Sequence, residues 1–538
     1  MKEATRRRIA PFLSGAAVAL LMVALTLNRL GETDVCGGSE AAMAVYVQQM
    51  IEHQELLFPL DNCRIPMYKP PLYHWSAAAL ASLLHQRRAT PFNLRLPSAL
   101  YATAGTILTM VFAGWLLGPR AGVLAGLLLC GSYQYVSQAR IGLVDMTLTF
   151  CETLALYAFF GWLIARQHPA RPRVSSMLHY TFALALGLGV LAKGPVGLIL
   201  PGGAAVGLLL LQRDWCALRQ LIRPGPIIAG GAVASSWYLA CLITGHYDFL
   251  KLQMGSENFG RFFGSLGSMP PWYYVQPLLL NSLPLSLFVP PAAVCAALPI
   301  LRRQSPRDGA VATSATIPPP DARIRLGAGL MAIFWLLSVL FFALASYKRR
   351  NYLLPLWPPG AVLLAWWTVA YLPRRLGDRY AAVVYRTAVG TGLALAIANL
   401  VFLPAYELHG CGAPFTARAL FAWPAPNGMA DPASASIQTR SYRAAAAAIN
   451  RTTGAAPLYV IGIDDALEPL VFYLGRCVKP LASWRAAPAD GFVISTVSAW
   501  HRADARNAAL SPVVQIPYDH TALVLLRPLA KTVSASPR

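Results

Sequence analysis

Carboxylates and cations are scarce in this chain and gather at a few places beside long apolar runs: Asp34, Glu40, Lys69, Arg140, Asp145, Lys193, Glu257, Arg261 and Lys348-Arg349-Arg350. Charges at the ends of apolar helices are expensive unless paired or wet, and mark functional sites by default. Carboxylates and cations meeting at one face suit group transfer from a lipid-linked phosphate. A carboxylate orients or deprotonates the acceptor, and cations stabilise the phosphate that leaves. The centre of the pattern is the run Met67-Tyr68-Lys69-Pro70-Pro71-Leu72-Tyr73-His74-Trp75. Its twin prolines fix two φ angles and delete two N–H donors, which holds the backbone at Lys69 extended. A rigid cation beside aromatic faces suits a phosphate bearing a lipid tail. It reads equally as an interfacial anchor, because Lys, Tyr and Trp collect at membrane surfaces anyway.

The other residues carry bland readings beside the functional ones. Asp145 either serves catalysis or substrate, or forms a structural ion pair with Arg140. Glu40 reads alternatively as a solvated interfacial carboxylate, Lys193 as a snorkelling lysine, and Trp272-Tyr273-Tyr274 as an aromatic belt rather than a sugar platform. Lys348-Arg349-Arg350 falls on the outer side of the topology below, against the positive-inside pattern, which favours an anionic lipid as its ligand.

The elements that position these residues are membrane helices. Of the 538 residues, 56% are hydrophobic and 13% charged, against about a quarter charged in a soluble domain. Several apolar runs reach the roughly 20 residues that cross a hydrocarbon core, and no alternating barrel pattern is present. The class is a polytopic α-helical membrane protein. The net charge of +22 comes from basic residues in short loops, a topology signal. No aromatic-interleaved basic patch accompanies it, so nucleic acid is excluded as a partner. The nine cysteines show no metal spacing, and Cys130, Cys151, Cys216, Cys241 and Cys295 lie in or near apolar spans as small hydrophobes. Cys36 and Cys63 share the first loop, and Cys411 and Cys477 share the C-terminal part. Two disulfides fit there, with connectivity left open.

Lys2 and Arg6-Arg7-Arg8 place the N-terminus in the cytoplasm, ahead of an uncleaved first helix over 9–27. The first loop, 31–97, therefore comes out on the far side, with interfacial helices expected over 39–52 and 71–84. Further spans follow over 97–117, 121–137, 146–165, 177–191, 197–211, 226–244, 272–301, 326–345, 353–372 and 387–403, giving about eleven in all, or up to thirteen with half-helices. Residues 177–211 read as a helical hairpin turning at Ala192-Lys193-Gly194-Pro195, and 245–271 as an outer loop. The alternation puts every residue named at the outset on the outer side. From about Pro404 the composition becomes that of a soluble domain. A helix is expected over 440–453, strands over 456–462, 491–496 and 521–528, and a helix over 465–474. The domain reading is a transmembrane part over 1–405 and a small extracytoplasmic α/β domain over 406–538.

Taken together, these stretches resemble the GT-C glycosyltransferases of the ArnT-like, protein-mannosyltransferase-related superfamily. The resemblance is carried by Ser39-Glu40, Tyr68 through Trp75, Arg95-Leu96-Pro97-Ser98, Ala139-Arg140 through Asp145-Met146, and Leu191-Ala192-Lys193-Gly194-Pro195. Asn258-Phe259-Gly260-Arg261-Phe262, Pro271-Trp272-Tyr273-Tyr274 and Lys348 through Pro355 complete the series in family order. It implies a GT-C fold and an inverting transferase. Such an enzyme moves a sugar from a polyprenyl-phosphate donor on the periplasmic face of a bacterial inner membrane. In ArnT-like enzymes the sugar is aminoarabinose and the acceptor a lipid A phosphate. Carried over, the expected catalytic residues are Glu40 and Asp145. The expected substrate-binding residues are Lys69, Tyr68, Arg140, Lys193, Glu257, Arg261, Lys348, Arg349 and Tyr352.

Three positions depart from the family pattern. Ser39-Glu40 replaces the usual Asp-Glu, which passes the first carboxylate role to Glu40 or to Asp34. Tyr68 stands where a metal-ligating glutamate is often found, and Ser268 where a histidine usually precedes the Pro-Trp-Tyr-Tyr element. A divalent metal thus lacks its usual ligands. The rival readings are a transporter or flippase of a lipid-linked sugar, which predicts mid-span charges and repeated halves, a protein O-glycosyltransferase of the same superfamily, and an inactive scaffold.

Overall fold

The computed structural model describes residues 2–35, 38–168, 170–264, 267–281, 283–302, 320–409, 442–463, 467–502, 510–518 and 521–528. The chain forms two compact units: Met1–Leu30, Tyr68–Leu80 and Arg95–Pro404 in the first, and Gly31–Met67, Ala81–Leu94 and Ala405–Arg538 in the second.

The first unit is helical. Among the described residues, seven helices are long and apolar enough to cross a membrane, and four shorter apolar helices accompany them. Together they account for the runs counted from the sequence. Ile243 and Phe402 are 83% and 70% exposed, and side chains of that kind in such numbers require lipid around them. The protein is a multi-pass integral membrane protein. Inside the bundle, Phe159, Phe160, Phe334, Leu200 and Leu363 form one continuous core.

Several expected spans are interrupted, and proline or a cap is the reason each time. The 272–301 run breaks into a turn at Pro271–Tyr274, a helix Val275–Leu280, a turn Leu285–Leu287 and a helix Val289–Leu301. Pro277, Pro284, Pro290 and Pro291 withdraw the N–H groups that a single helix needs. The 121–137 run splits at Ser132, whose hydroxyl accepts from Tyr135 N–H at 3.4 Å and starts a new helix, Tyr133–Ala139. The 353–372 run begins as a tight turn, Arg350–Leu356, before the helix Trp357–Trp366.

The 245–271 stretch, expected as a loop, is largely helical: Tyr247–Leu250, a wide-turned π-helix Lys251–Gly260, and Arg261–Phe263. Backbone bonds from Ser346 and Tyr347 N–H to Phe262 and Arg261 carbonyls, both 2.9 Å, tie this stretch to the segment after Pro320–Leu344. The hairpin at Lys193 forms as expected from Pro172–Lys193 and Val196–Gln212. A Cβ on Gly189 would stand 2.9 Å from Gly197 O, so the two arms need glycine to close.

The second unit holds Gly38–Glu52, which packs on Leu467–Leu474. It also holds a small hairpin, β1 (Leu60–Asp61) with β2 (Ile65–Pro66). Its sheet runs β4-β3-β5-β7-β6, where β3 is Leu458–Val460, β4 Val478–Pro480, β5 Phe492–Thr496, β6 Leu510–Tyr518 and β7 Thr521–Pro528. β3 lies parallel to β4 and β5, and β7 antiparallel to β5 and β6. β4 and β6 escaped the sequence reading because charge and proline interrupt their apolar pattern. Cys63 pairs with Cys477, which corrects the grouping of cysteines by region. Cys36 and Cys411 lie outside the described residues. Next to the bridge, Asn62 donates to Val478 O and accepts from Val478 N–H, both at 2.7 Å, and ties β4 to the first loop.

Candidate functional site

Asp145 opens the helix Val144–Ala165 and is 5% exposed. A carboxylate there meets the positive end of the helix dipole. Its Oδ1 pairs with the Lys193 ammonium, and its Oδ2 accepts from Asn351 Nδ2 at 2.9 Å. Lys193 ends its helix, and Gly194 follows at φ +84°. Only glycine takes that conformation without strain. A Cβ on Gly194 would also stand 2.7 Å from Gln253 Nε2. The ammonium sits 4.5 Å from the centre of the Tyr352 ring.

A second cluster shares Tyr352. The π-helix carries Glu257, whose Oε2 pairs with Lys69 and whose Oε1 accepts from Arg261 Nη2 at 2.6 Å. Arg261 Nη1 donates to Tyr352 Oη at 3.1 Å. Tyr352 thus shows its face to Lys193 and its hydroxyl to Arg261. Arg261 and Arg349 stack on Tyr347 at 5.0 and 5.5 Å. Burial, with the neighbouring Arg261 and Lys193 charges, brings Lys69 down to about 8, although Glu257 works against it. Burial pushes the Glu257 carboxyl up, but Lys69 and Arg261 outweigh it and hold the group below the usual carboxylate range. Among the described residues the ion-paired network sets the cations Lys69, Lys193 and Arg261 against the carboxylates Asp145 and Glu257, an excess of one positive charge. Such an excess, held away from bulk water, is a seat for an anion.

Other expected site residues have surroundings of their own. Arg140 is buried and donates to Leu25 O at 2.9 Å and Thr26 O at 3.4 Å, at the C-terminal end of Lys2–Leu27. Asp145 takes Lys193, not Arg140, as its ion-pair partner, which removes the structural pair weighed from sequence. Lys348 is buried with its ammonium on Met269 O and Ala345 O, so it closes a helix end rather than facing a lipid anion. Glu40 lies in the first turn of Gly38–Glu52, in the second unit, and is 6% exposed, which sets aside the solvated reading. Asp34, in the same unit, pairs with Arg443 at 3.4 Å. Tyr68 stays beside the cluster, its ring 5.3 Å from Lys69 Nζ.

The donor chemistry does not fit a metal. Tyr68 and Ser268 offer neutral hydroxyls where carboxylate and imidazole would bind, and among the described residues no group of three His, Cys, Asp or Glu side chains is placed to hold an ion. Sequence reasoning missed Asn351, which was passed over as one residue of a basic run, and the pairing of Lys69 with Glu257.

Residues 68–237 match the family described as dolichyl-phosphate-mannose-protein mannosyltransferase. The fold is similar to the crystal structure of ArnT from Cupriavidus metallidurans bound to undecaprenyl phosphate. The two chains align with a TM-score of 0.71 at 18% identity, over 98% of this chain and 100% of that one. The chain has the fold of ArnT, the GT-C fold. Among curated ArnT-like relatives, the undecaprenyl phosphate-alpha-4-amino-4-deoxy-L-arabinose arabinosyl transferase of Pseudomonas aeruginosa (strain LESB58) is 28% identical over 350 residues, 63% of this chain and 57% of its own. The corresponding protein of Aeromonas salmonicida (strain A449) is 28% identical over 282 residues, 51% of this chain and 46% of its own. The match therefore spans about half the length of these relatives. The GT-C fold extends to the Archaeoglobus fulgidus oligosaccharyltransferase, with a TM-score of 0.51 at 12% identity, over 91% of this chain and 70% of that one.

Proposed function

We propose that this chain is a glycosyltransferase. It takes a sugar from a polyprenyl-phosphate donor at the outer face of a bacterial inner membrane and passes it to a cell-envelope acceptor. The observation that carries this is the excess of one positive charge in the network of Lys69, Glu257, Arg261, Tyr352, Lys193 and Asp145, beside the ends of apolar helices. A lipid-linked phosphate satisfies both the charge and the surroundings. The ArnT-like relatives are named for an undecaprenyl-phosphate donor, which supports the same reading. Lys69, Arg261 and Arg349 neutralise the donor phosphate. The bond between the anomeric carbon and the phosphate oxygen breaks as the acceptor oxygen attacks from the opposite face. The phosphate leaves as polyprenyl monophosphate, stabilised by the same cations. Asp145 orients the acceptor and, for a hydroxyl acceptor, takes its proton. Glu40 is proposed as a second carboxylate, tested separately by Glu40→Gln.

The finer reading is 4-amino-4-deoxy-L-arabinose as the sugar and lipid A as the acceptor. The family matched by residues 68–237 favours a second one, a protein acceptor. Mass spectrometry of lipid A, envelope proteins and the polyprenyl-phosphate pool, with and without the gene, separates them. Loss of a pentosamine-sized adduct from lipid A, with the loaded carrier building up, is the expected result. A build-up of loaded carrier with unchanged lipid A and loss of a protein-linked sugar moves the acceptor to protein. No change in any pool overturns the transferase reading.

A further inference from the structure

The π-helix that presents Glu257 also carries an amide for which the site described so far has no use. Gln253 is 0% exposed, and neither its Oε1 nor its Nε2 has a hydrogen-bond partner. A carboxamide offers an acceptor oxygen and two N–H donors, and burying all of them unanswered is costly. Tyr238, on the helix Pro224–Ile243, neighbours that amide, and its buried hydroxyl is unpartnered as well. Two polar groups held side by side without a bond between them leave a place for a third.

Both the π-helix and the Lys193 turn fix where this amide stands. The hydrogen bonds of a π-helix run between residues five apart, which brings 253 and 258 together on one face. Asn258 Nδ2 donates to Gln253 O at 2.6 Å. Phe249 meets Trp237 edge-on, with ring centres 6.4 Å apart, and pins the start of the stretch to the helix that carries Tyr238. Gly194, directly after Lys193, faces the amides, since a Cβ there would stand 2.7 Å from Gln253 Nε2 and 3.1 Å from the Asn258 amide. Glu257, next to Asn258, holds Lys69 and Arg261. The unanswered amide thus lies one turn from Glu257 on the same helix and against the residue that follows Lys193. Asn258 is half-buried and forms its rim.

We propose that Gln253, with the Tyr238 hydroxyl beside it, reads a polar substituent of the donor sugar and so selects which sugar is transferred. The inference rests on the reading of Lys69 and Arg261 as partners of the donor phosphate. One bond joins sugar to phosphate in such a donor, so the groups that read the sugar stand next to the cations, as Gln253 does along its helix. A sugar hydroxyl donates and accepts at once, and a carboxamide beside a phenol hydroxyl answers both. The cations hold the phosphate whatever sugar it bears. A buried amide discriminates, because a sugar without the matching group leaves it unpaired.

The test is affinity rather than turnover, measured by tryptophan fluorescence on the full chain in lipid nanodiscs. The probes are sugar-free undecaprenyl phosphate, undecaprenyl-phosphate aminoarabinose and undecaprenyl-phosphate mannose. The wild type should bind one of the sugar-bearing lipids more tightly than the sugar-free one. Gln253→Met, close in shape, should lose about tenfold of that preference, the size of one hydrogen bond to a buried group, and bind sugar-free undecaprenyl phosphate as the wild type does. Tyr238→Phe should lose less. Because methionine removes an unanswered polar group, the thermal midpoint of ligand-free Gln253→Met should be equal or higher. A preference kept in both variants overturns the proposal. A midpoint that falls in Gln253→Met overturns it too, since the amide then serves the fold. A wild type that binds the sugar-free lipid and prefers neither sugar overturns it while the phosphate reading stands. A wild type that binds none of the three sinks the donor reading itself.

Discussion

Because burial holds Lys69 at about 8, its charge is lost within an accessible pH range, and with it the attraction proposed for the donor phosphate. The alkaline limb of kcat/KM, which reports the free enzyme, should bend near that value and fall about tenfold per pH unit above it. Lys69→Arg stays charged at all these pH values and should lose the limb, with weaker binding from the altered donor geometry. A limb unchanged in Lys69→Arg assigns it to another group. Stability runs the other way for this residue. Its folded value lies below its unfolded one, so its contribution improves as pH rises from about 8 toward the usual lysine range. Glu257 contributes stability that is lost as pH falls through its depressed folded value. Asp145→Asn removes the carboxylate proposed to orient the acceptor and should lower turnover about a hundredfold or more, measured with excess donor. The charged members of the site were legible in the sequence because charge beside apolar helices is costly and therefore conspicuous. Their pairing was not. Lys193 meets Asp145 through tertiary packing of two helices, and Arg140, nearer in sequence, is drawn to the carbonyls of another helix end. Asn351 gave no signal, being an ordinary polar residue.

The Lys193 turn is the element on which the site is most exposed to damage. Gly194 combines φ +84° with a would-be Cβ 2.7 Å from Gln253 Nε2. Gly194→Ala should strain the turn, displace Lys193 from Asp145, and cost roughly 1–3 kcal/mol. A lower thermal midpoint and reduced turnover check it, and a fully stable, fully active variant contradicts it. The spans themselves were legible because twenty apolar residues in a row have few other uses. What the hydropathy pattern does not carry is where a span breaks. Prolines at 277, 284, 290 and 291 are apolar by composition yet withdraw backbone donors, and Ser132 interrupts a run that reads as continuous. The π-helix Lys251–Gly260 escaped for the converse reason, since its polar sequence resembles a loop. That helix places Glu257 between Lys69 and Arg261.

At the scale of the molecule, the first loop contributes to both compact units, and the disulfide Cys63–Cys477 joins it to the C-terminal strands. Reduction, or Cys63→Ser, should cost the second unit roughly 2–4 kcal/mol, read as a lower unfolding midpoint with reductant. Asn62→Ala strips two hydrogen bonds from buried β4 backbone and should cost roughly 1–3 kcal/mol. Equal midpoints with and without reductant contradict the staple. The fold class and the C-terminal α/β character were readable from composition. The disulfide partner was not, because cysteines 414 residues apart meet only in the folded chain. The central claim is that the cation-rich network in the first unit receives a polyprenyl-phosphate sugar and releases the monophosphate. Its most direct test is the purified chain in lipid nanodiscs with undecaprenyl-phosphate aminoarabinose and lipid A, following release of undecaprenyl phosphate by mass spectrometry. Acceptor-dependent release by the wild type, reduced about a hundredfold in Lys69→Met and Asp145→Asn, is the predicted result. Release that persists in both variants contradicts the account.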